Sequence, residues 1–249
     1  MKTLVDLYQP IICLRTRSTI GFEALARWPG TREDRAAGLL DRGLAHEMLT
    51  RAAVGLAAWR QVDDPSDLFV HVNITSEDLK RPGLADTIAD LLLAHRLPAG
   101  SIIVEITEQM PIREMAHAVA VLLAVKEAGA GVVIDDFGSG YSSLSWLHDL
   151  PADGLKVDAD LTRKLGSERG NVILAATAQL GHALGMSVTA EGVEDTGQAR
   201  QLRALGFDRV QGYGFGKPMP AGDIPAFLET GAPAKALLGD GGQARGGSR

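Results

Sequence analysis

Residues 8–28 read Tyr-Gln-Pro-Ile-Ile-Cys-Leu-Arg-Thr-Arg-Ser-Thr-Ile-Gly-Phe-Glu-Ala-Leu-Ala-Arg-Trp. Two β-prone runs, Tyr8–Leu14 and Ile20–Trp28, flank the polar turn Arg15–Thr19. A parallel pair needs a crossover of about a dozen residues or more, so these two strands must pair antiparallel. Six further runs follow: Leu68–Ile74, Ile102–Ile106, Gly131–Phe137, Gly154–Val157, Met186–Ala190 and Arg209–Phe215. Between them, apolar residues recur at helical spacing. The stripes are Leu40, Leu44, Met48 and Ala52; Ile88, Leu91 and Leu92; Met115, Val119 and Leu122; Ile173, Ala176, Thr177, Leu180 and Leu184; and Ala199, Leu202 and Leu205. Strands alternating with helices in a chain of this length predict an α/β fold, a (β/α)8 TIM-like barrel with the first strand antiparallel. An open doubly wound sheet is the rival, but no glycine-rich phosphate loop opens the first helix. Residues 1–238 read as a single domain. The tail 239–249, with five glycines in eleven residues, reads as disordered.

Composition narrows the function. The 249-residue chain is 45% hydrophobic, enough for a sizeable core. Its 25 basic and 31 acidic residues give a net charge of −6, which argues against a nucleic-acid polymer as partner. No apolar stretch approaches the length of a membrane span, and Asp6 and Pro10 interrupt any signal-peptide core. The single cysteine, Cys13, excludes an internal disulfide and a cysteine-ligated zinc site, and reads as a small buried hydrophobe. A cytoplasmic protein without membrane contact is the expectation.

Polar residues fall at the ends of seven of the apolar runs: Glu23, Asn73, Glu105, Asp135 with Asp136, Lys156, Glu191 and Gln211. Each alone reads as a solvated boundary or a helix cap. In a barrel, however, these ends share one mouth, where active sites of the fold lie. Five carboxylates gathered there repel one another unless cations compensate them. Carboxylates with an amide oxygen suit hard divalent ions such as Mg²⁺ or Mn²⁺, and adjacent Asp135-Asp136 can touch two ions at once. Lys156 would then orient an attacking water or offset transition-state charge. The following Phe137-Gly-Ser-Gly-Tyr-Ser-Ser143 reads as a tight loop. Asp136-Phe-Gly138 also occurs in kinases, but the other kinase signatures are missing. His71 shares strand parity with Asn73 and should point inward, as a hydrogen-bonded interior histidine rather than a ligand.

Eight blocks resemble the EAL domain family, in its order, from about Leu7 to Pro220. They are Tyr8-Gln-Pro-Ile11, Glu23-Ala-Leu25 with Arg27-Trp28, Val72-Asn73, Glu105-Ile-Thr-Glu108, Asp135 to Leu144, Leu155-Lys-Val-Asp158, Ala190-Glu-Gly-Val-Glu194 and Gln211-Gly-Tyr213. The resemblance implies a phosphodiesterase that opens cyclic di-GMP to linear pGpG with two Mg²⁺ or Mn²⁺ ions per active site. By the same resemblance, Glu23, Asn73, Glu105 and Asp135 hold the first metal, and Asp135, Asp136 and Glu191 the second. Lys156 and Gln211 sit beside the water and the metals, Glu108 anchors the 136–143 loop, Arg27 contacts substrate phosphate and Gln9 lies near the dinucleotide. Dimerisation through the loop and the helix after the fifth strand is implied as well. The segment after Trp28 is shorter than is usual in the family and lacks part of the cavity wall. Ala159-Asp160-Leu161 replaces the usual serine and aromatic, and Ser139 the usual threonine. The alternatives are a non-catalytic cyclic di-GMP receptor or interaction module with a separate signalling partner, and a barrel metalloenzyme acting on another phosphodiester.

Overall fold

A tight turn reverses the chain at its start. In the computed structural model, which describes residues 4–27, 44–61, 68–107, 115–139 and 147–231, strand β1 (Val5–Cys13) pairs antiparallel with β2 (Ser18–Arg27). Arg17 closes the turn in a left-handed conformation, its N–H on the Cys13 carbonyl at 2.8 Å. β3 (Phe69–Asn73), β4 (Ile102–Thr107), β5 (Gly131–Phe137), β6 (Gly154–Val157), β7 (Ser187–Ala190) and β8 (Arg209–Gln211) then follow in parallel order from β2. β1 closes the barrel by pairing antiparallel with β8 as well as β2. The expected reversed-strand barrel is thus observed. A further short strand, β9 (Met219–Pro220), adds to β1. β8 stops at Gln211 instead of reaching Phe215, because Gly212 turns hard against the Val193 backbone; a Cβ there would lie 2.1 Å from the Val193 oxygen.

The helices are α1 (Leu44–Trp59), α2 (Ser76–Lys80), α3 (Leu84–Ala94), α4 (Met115–Glu127), α5 (Ala159–Thr162), α6 (Glu168–Ala183), α7 (Thr196–Ala204) and α8 (Ile224–Thr230). Strand alternation divides the core. Val70, Val72, Val104, Ile106, Val132, Ile134, Leu155 and Val188 are buried apolar residues, while the intervening His71, Glu105, Asp135 and Lys156 are buried and polar. Trp59 of α1 packs edge-on to Tyr8 at 4.8 Å and donates to the Ala221 carbonyl at 3.1 Å, tying helix, strand and chain end together. Of the expected stripes, Leu44, Met48 and Ala52 of α1, Ile88 and Leu92 of α3, and Ala199 and Leu202 of α7 are buried, and Leu40 lies outside the described residues. The stripe of α6 faces inward only in part: Thr177 is buried, but Ile173, Ala176 and Leu184 are exposed, and the buried face is Gly170, Leu174, Thr177, Ala178 and Gly181. Hydrophobic size misleads there, because close approach to β7 demands the small residues. Glu108, residues 140–143 of the 136–143 loop, the segment after Trp28 and the 239–249 tail lie outside the described residues. Among the described residues no helix is long and apolar enough to cross a membrane.

Candidate metal centre

Strand parity sends Glu23 (β2), Asn73 (β3), Glu105 (β4), Asp135 (β5), Lys156 (β6) and Gln211 (β8) to one end of the barrel interior, and Glu191 joins them directly after β7. Lys156 is fully buried at the centre. Its Nζ lies 2.8 Å from Glu191 Oε1, 2.9 Å from Glu105 Oε1, and 3.2 Å from both Glu23 Oε2 and Asp135 Oδ1. Asn73 Nδ2 donates to Glu23 Oε1 at 3.0 Å, and Gln211 Nε2 donates to Glu23 Oε2 at 2.5 Å and to Gln9 Oε1 at 3.2 Å.

Asp135 and Asp136 are neighbours, and in a regular strand they would face opposite ways. Here the β5–β6 register shifts between Ile134 and Phe137, and Asp136 takes φ +58°. That bulge re-aims Asp136 toward the mouth, at a backbone conformation Asp tolerates better than most residues. Two groups of carboxylate oxygens result, each within 4.8 Å of one another: Glu23, Glu105 and Asp135, and Asp135, Asp136 and Glu191. Asp135 belongs to both.

The electrostatics follow from burial and crowding. Burial pushes Glu105 well above the ordinary carboxylate range and raises Asp135, against the pull of Lys156. Burial also lifts Glu191 to about 8, and burial with the Asp135 charge lifts Asp136 to about 6. Glu23 is the exception. Burial opposes its ionisation, but the Lys156 charge and the hydrogen bonds from Gln211 and Asn73 outweigh it and hold Glu23 low. Lys156 stays charged, since its four carboxylates overcome desolvation. Burial and the nearby Lys156 charge keep His71 neutral. Its Nδ1 meets Glu105 Oε1 at 2.5 Å, and its ring stacks on Phe69.

The donor set fits hard divalent cations. All the donors are oxygens, and the buried Glu105 Oε2 has no hydrogen-bond donor among the described residues. Beside the cluster opens a cavity of about 370 Å³, lined among others by Gln9, Glu23, Glu191, Arg163 and Tyr213. Gln9 faces it, with Nε2 on the Gly216 carbonyl at 3.2 Å. Arg27 is the last residue of β2, beyond Glu23, its guanidinium on the Ala26 carbonyl at 3.3 Å and outside the carboxylate cluster. Two wall residues, Arg163 and Tyr213, were not singled out as site residues from the sequence. Tyr213 had a signal, the glycines on either side of it. Arg163 had only its place just after β6, and charge alone does not distinguish it from surface arginines.

The profile of the EAL domain matches residues 2–218. The bifunctional diguanylate cyclase/cyclic di-GMP phosphodiesterase MucR of Pseudomonas aeruginosa is 34% identical over 241 residues, covering 91% of this chain and 35% of that protein. The structure of the PaMucR phosphodiesterase with c-di-GMP is 32% identical with a TM-score of 0.78, over 89% of this chain and 94% of that one. The EAL domain of Mycobacterium smegmatis DcpA is 31% identical with a TM-score of 0.80, over 92% and 97%. Klebsiella pneumoniae BlrP1, solved with manganese and cyclic di-GMP, is 29% identical with a TM-score of 0.74, over 88% and 56%. The chain spans about a third of the length of the curated relatives it matches.

Proposed function

The chain belongs to the EAL domain family, and from that premise we propose that it hydrolyses cyclic di-GMP to linear pGpG in a metal-dependent reaction. The observation that supports this most is the meeting of five carboxylates, four of them against one buried ammonium. With all five carboxylates ionised, as bound cations would hold them, the one Lys156 charge leaves four negative charges, which two divalent cations would balance. Bound Mg²⁺ or Mn²⁺ would neutralise phosphate charge and lower the pKa of a bound water.

The chain's own groups do the rest. Asp135 is shared, with Glu23, Asn73 and Glu105 on one side and Asp136 and Glu191 on the other. Lys156, held by Glu191 and Glu105, positions the attacking water and offsets charge growing on the phosphoryl oxygens. Gln9 and Gln211 order the cavity side of Glu23, and Arg27 lies within the same strand for contact with a substrate phosphate. The water oxygen gives up a proton as it bonds to phosphorus, one phosphorus–O3′ bond breaks, and the departing O3′ takes up a proton. One water is thereby consumed, and the charge of the new phosphate monoester is balanced.

Purified protein given cyclic di-GMP and Mg²⁺ or Mn²⁺ is expected to release pGpG, and chelator to stop it. Glu23→Gln and Lys156→Met should each lower turnover by about 10²–10⁴-fold with circular dichroism unchanged. Tight binding of cyclic di-GMP without hydrolysis under either ion would overturn the reading and leave a receptor.

A further inference from the structure

At the opposite end of the barrel, where the parallel strands begin, lies a larger cavity of about 670 Å³. Arg15, Arg203 and Arg209 line it, in a chain whose net charge is −6. Among the described residues, none of these three guanidiniums forms a salt bridge. The one carboxylate in the lining, Asp208, is engaged through Oδ2 by the Val188 N–H at 2.8 Å and by His182 Nε2 at 2.9 Å. Arg209 is the telling member. Its guanidinium lies over the Phe69 ring at 5.1 Å, and burial pulls it below its ordinary value although Asp208 opposes that. A desolvated cation with unpaired donors is unfavourable unless an anion meets it. Ile20, Leu14 and Phe207 give the same cavity an apolar wall, while the Phe69 ring is already stacked on His71 and covered by Arg209.

We propose that this cavity is a second ligand site, taking a phosphate monoester with a flat or apolar body of about nucleoside 5′-monophosphate size. Three guanidiniums against one occupied carboxylate suit a dianion, and Arg presents a planar fork of donors to phosphate oxygens. The volume falls in the range of small-molecule pockets, about 300–1,000 Å³. The apolar wall then receives the body of the ligand, while Arg209, Arg203 and Arg15 receive its phosphate. This site is independent of the metal centre and of the reaction proposed there.

The chain carries its own reporter, since Cys13, its single cysteine, lines this cavity and is half-buried. Alkylation of Cys13 by iodoacetamide, followed by intact mass, is measured with adenosine 5′-monophosphate, inorganic phosphate or adenosine present. The nucleotide is expected to slow alkylation at a concentration at least about tenfold below that needed by inorganic phosphate, with adenosine inert. Arg209→Gln should remove the protection. Arg203→Gln, on the exposed face of α7, should weaken it without endangering the fold. Absent protection at millimolar nucleotide, equal protection by adenosine or by inorganic phosphate, or protection that survives both substitutions would overturn the proposal. An occupant of the metal-centre cavity would leave Cys13 unprotected, so failure here is distinct from failure of the phosphodiesterase reading.

Discussion

Glu191 and Asp136 show what crowding does to single groups. With Glu191 held at about 8, the metal-free protein carries a proton there at neutral pH, whereas the same side chain in the unfolded chain ionises near 4.5. Between those values the folded state binds more protons than the unfolded one, so stability falls as pH rises. Asp136, at about 6 against 3.8, adds the same sign at lower pH. His71 works oppositely: kept neutral when folded, it lets the unfolded chain take up a proton below 6.5 and so lowers stability there. The informative window is therefore from about pH 6.5 to 8. In chelator, thermal melting should move to lower temperature across it, and Mn²⁺ should cancel the drop by displacing the protons. A melting temperature that is flat or rising in chelator would contradict the crowding. The ligand candidates were legible because charged side chains closing apolar runs stand out in any strand-rich sequence. The pairing of His71 with Glu105 was legible only as an inward direction, because their separation of 34 positions in the chain hides their contact.

Among the elements, α6 and β5 carry features that pattern alone misses. The apolar periodicity of α6 points to Ile173 and Leu184, yet its buried face runs through Gly170 and Gly181. A Cβ at Gly181 would sit 2.4 Å from Val188 Cγ2 on β7, so the helix needs that glycine to reach the barrel. Gly181→Ala should lower stability by about 1–3 kcal/mol through overpacking, even though alanine favours the helix by about 1 kcal/mol. Ile173→Ala, at a position 47% exposed, should cost less than about 1 kcal/mol. Urea midpoints of the two variants decide it, and the reverse order would refute the observed face. In β5 the bulge at Asp136 is likewise invisible in sequence. Alternation alone would put Asp136 outside the barrel, and only a backbone at φ +58° gives both aspartates one mouth.

At the scale of the whole molecule, closure makes the site. Glu23, Glu105, Asp135 and Glu191 span much of the chain, and they meet only because β1 seals the sheet between β2 and β8. Cation binding should therefore be felt at distant segments together. Hydrogen exchange is expected to slow on adding Mn²⁺ in peptides carrying Glu23, Glu105, Asp135 and Glu191 alike, with α3 unaffected. Protection confined to one of these peptides would mean that no shared cation links them. By itself the sequence determined the strand order, the reversed first strand and the identity of the acidic residues, because turn length, period-two alternation and strand-end position are local properties. Only the tertiary structure decided how those groups pair around Lys156, the turn of Asp136 into the mouth, the glycine face of α6 and the basic cavity at the far end. Each of these depends on distances between segments remote in the chain, and on backbone conformations that packing imposes.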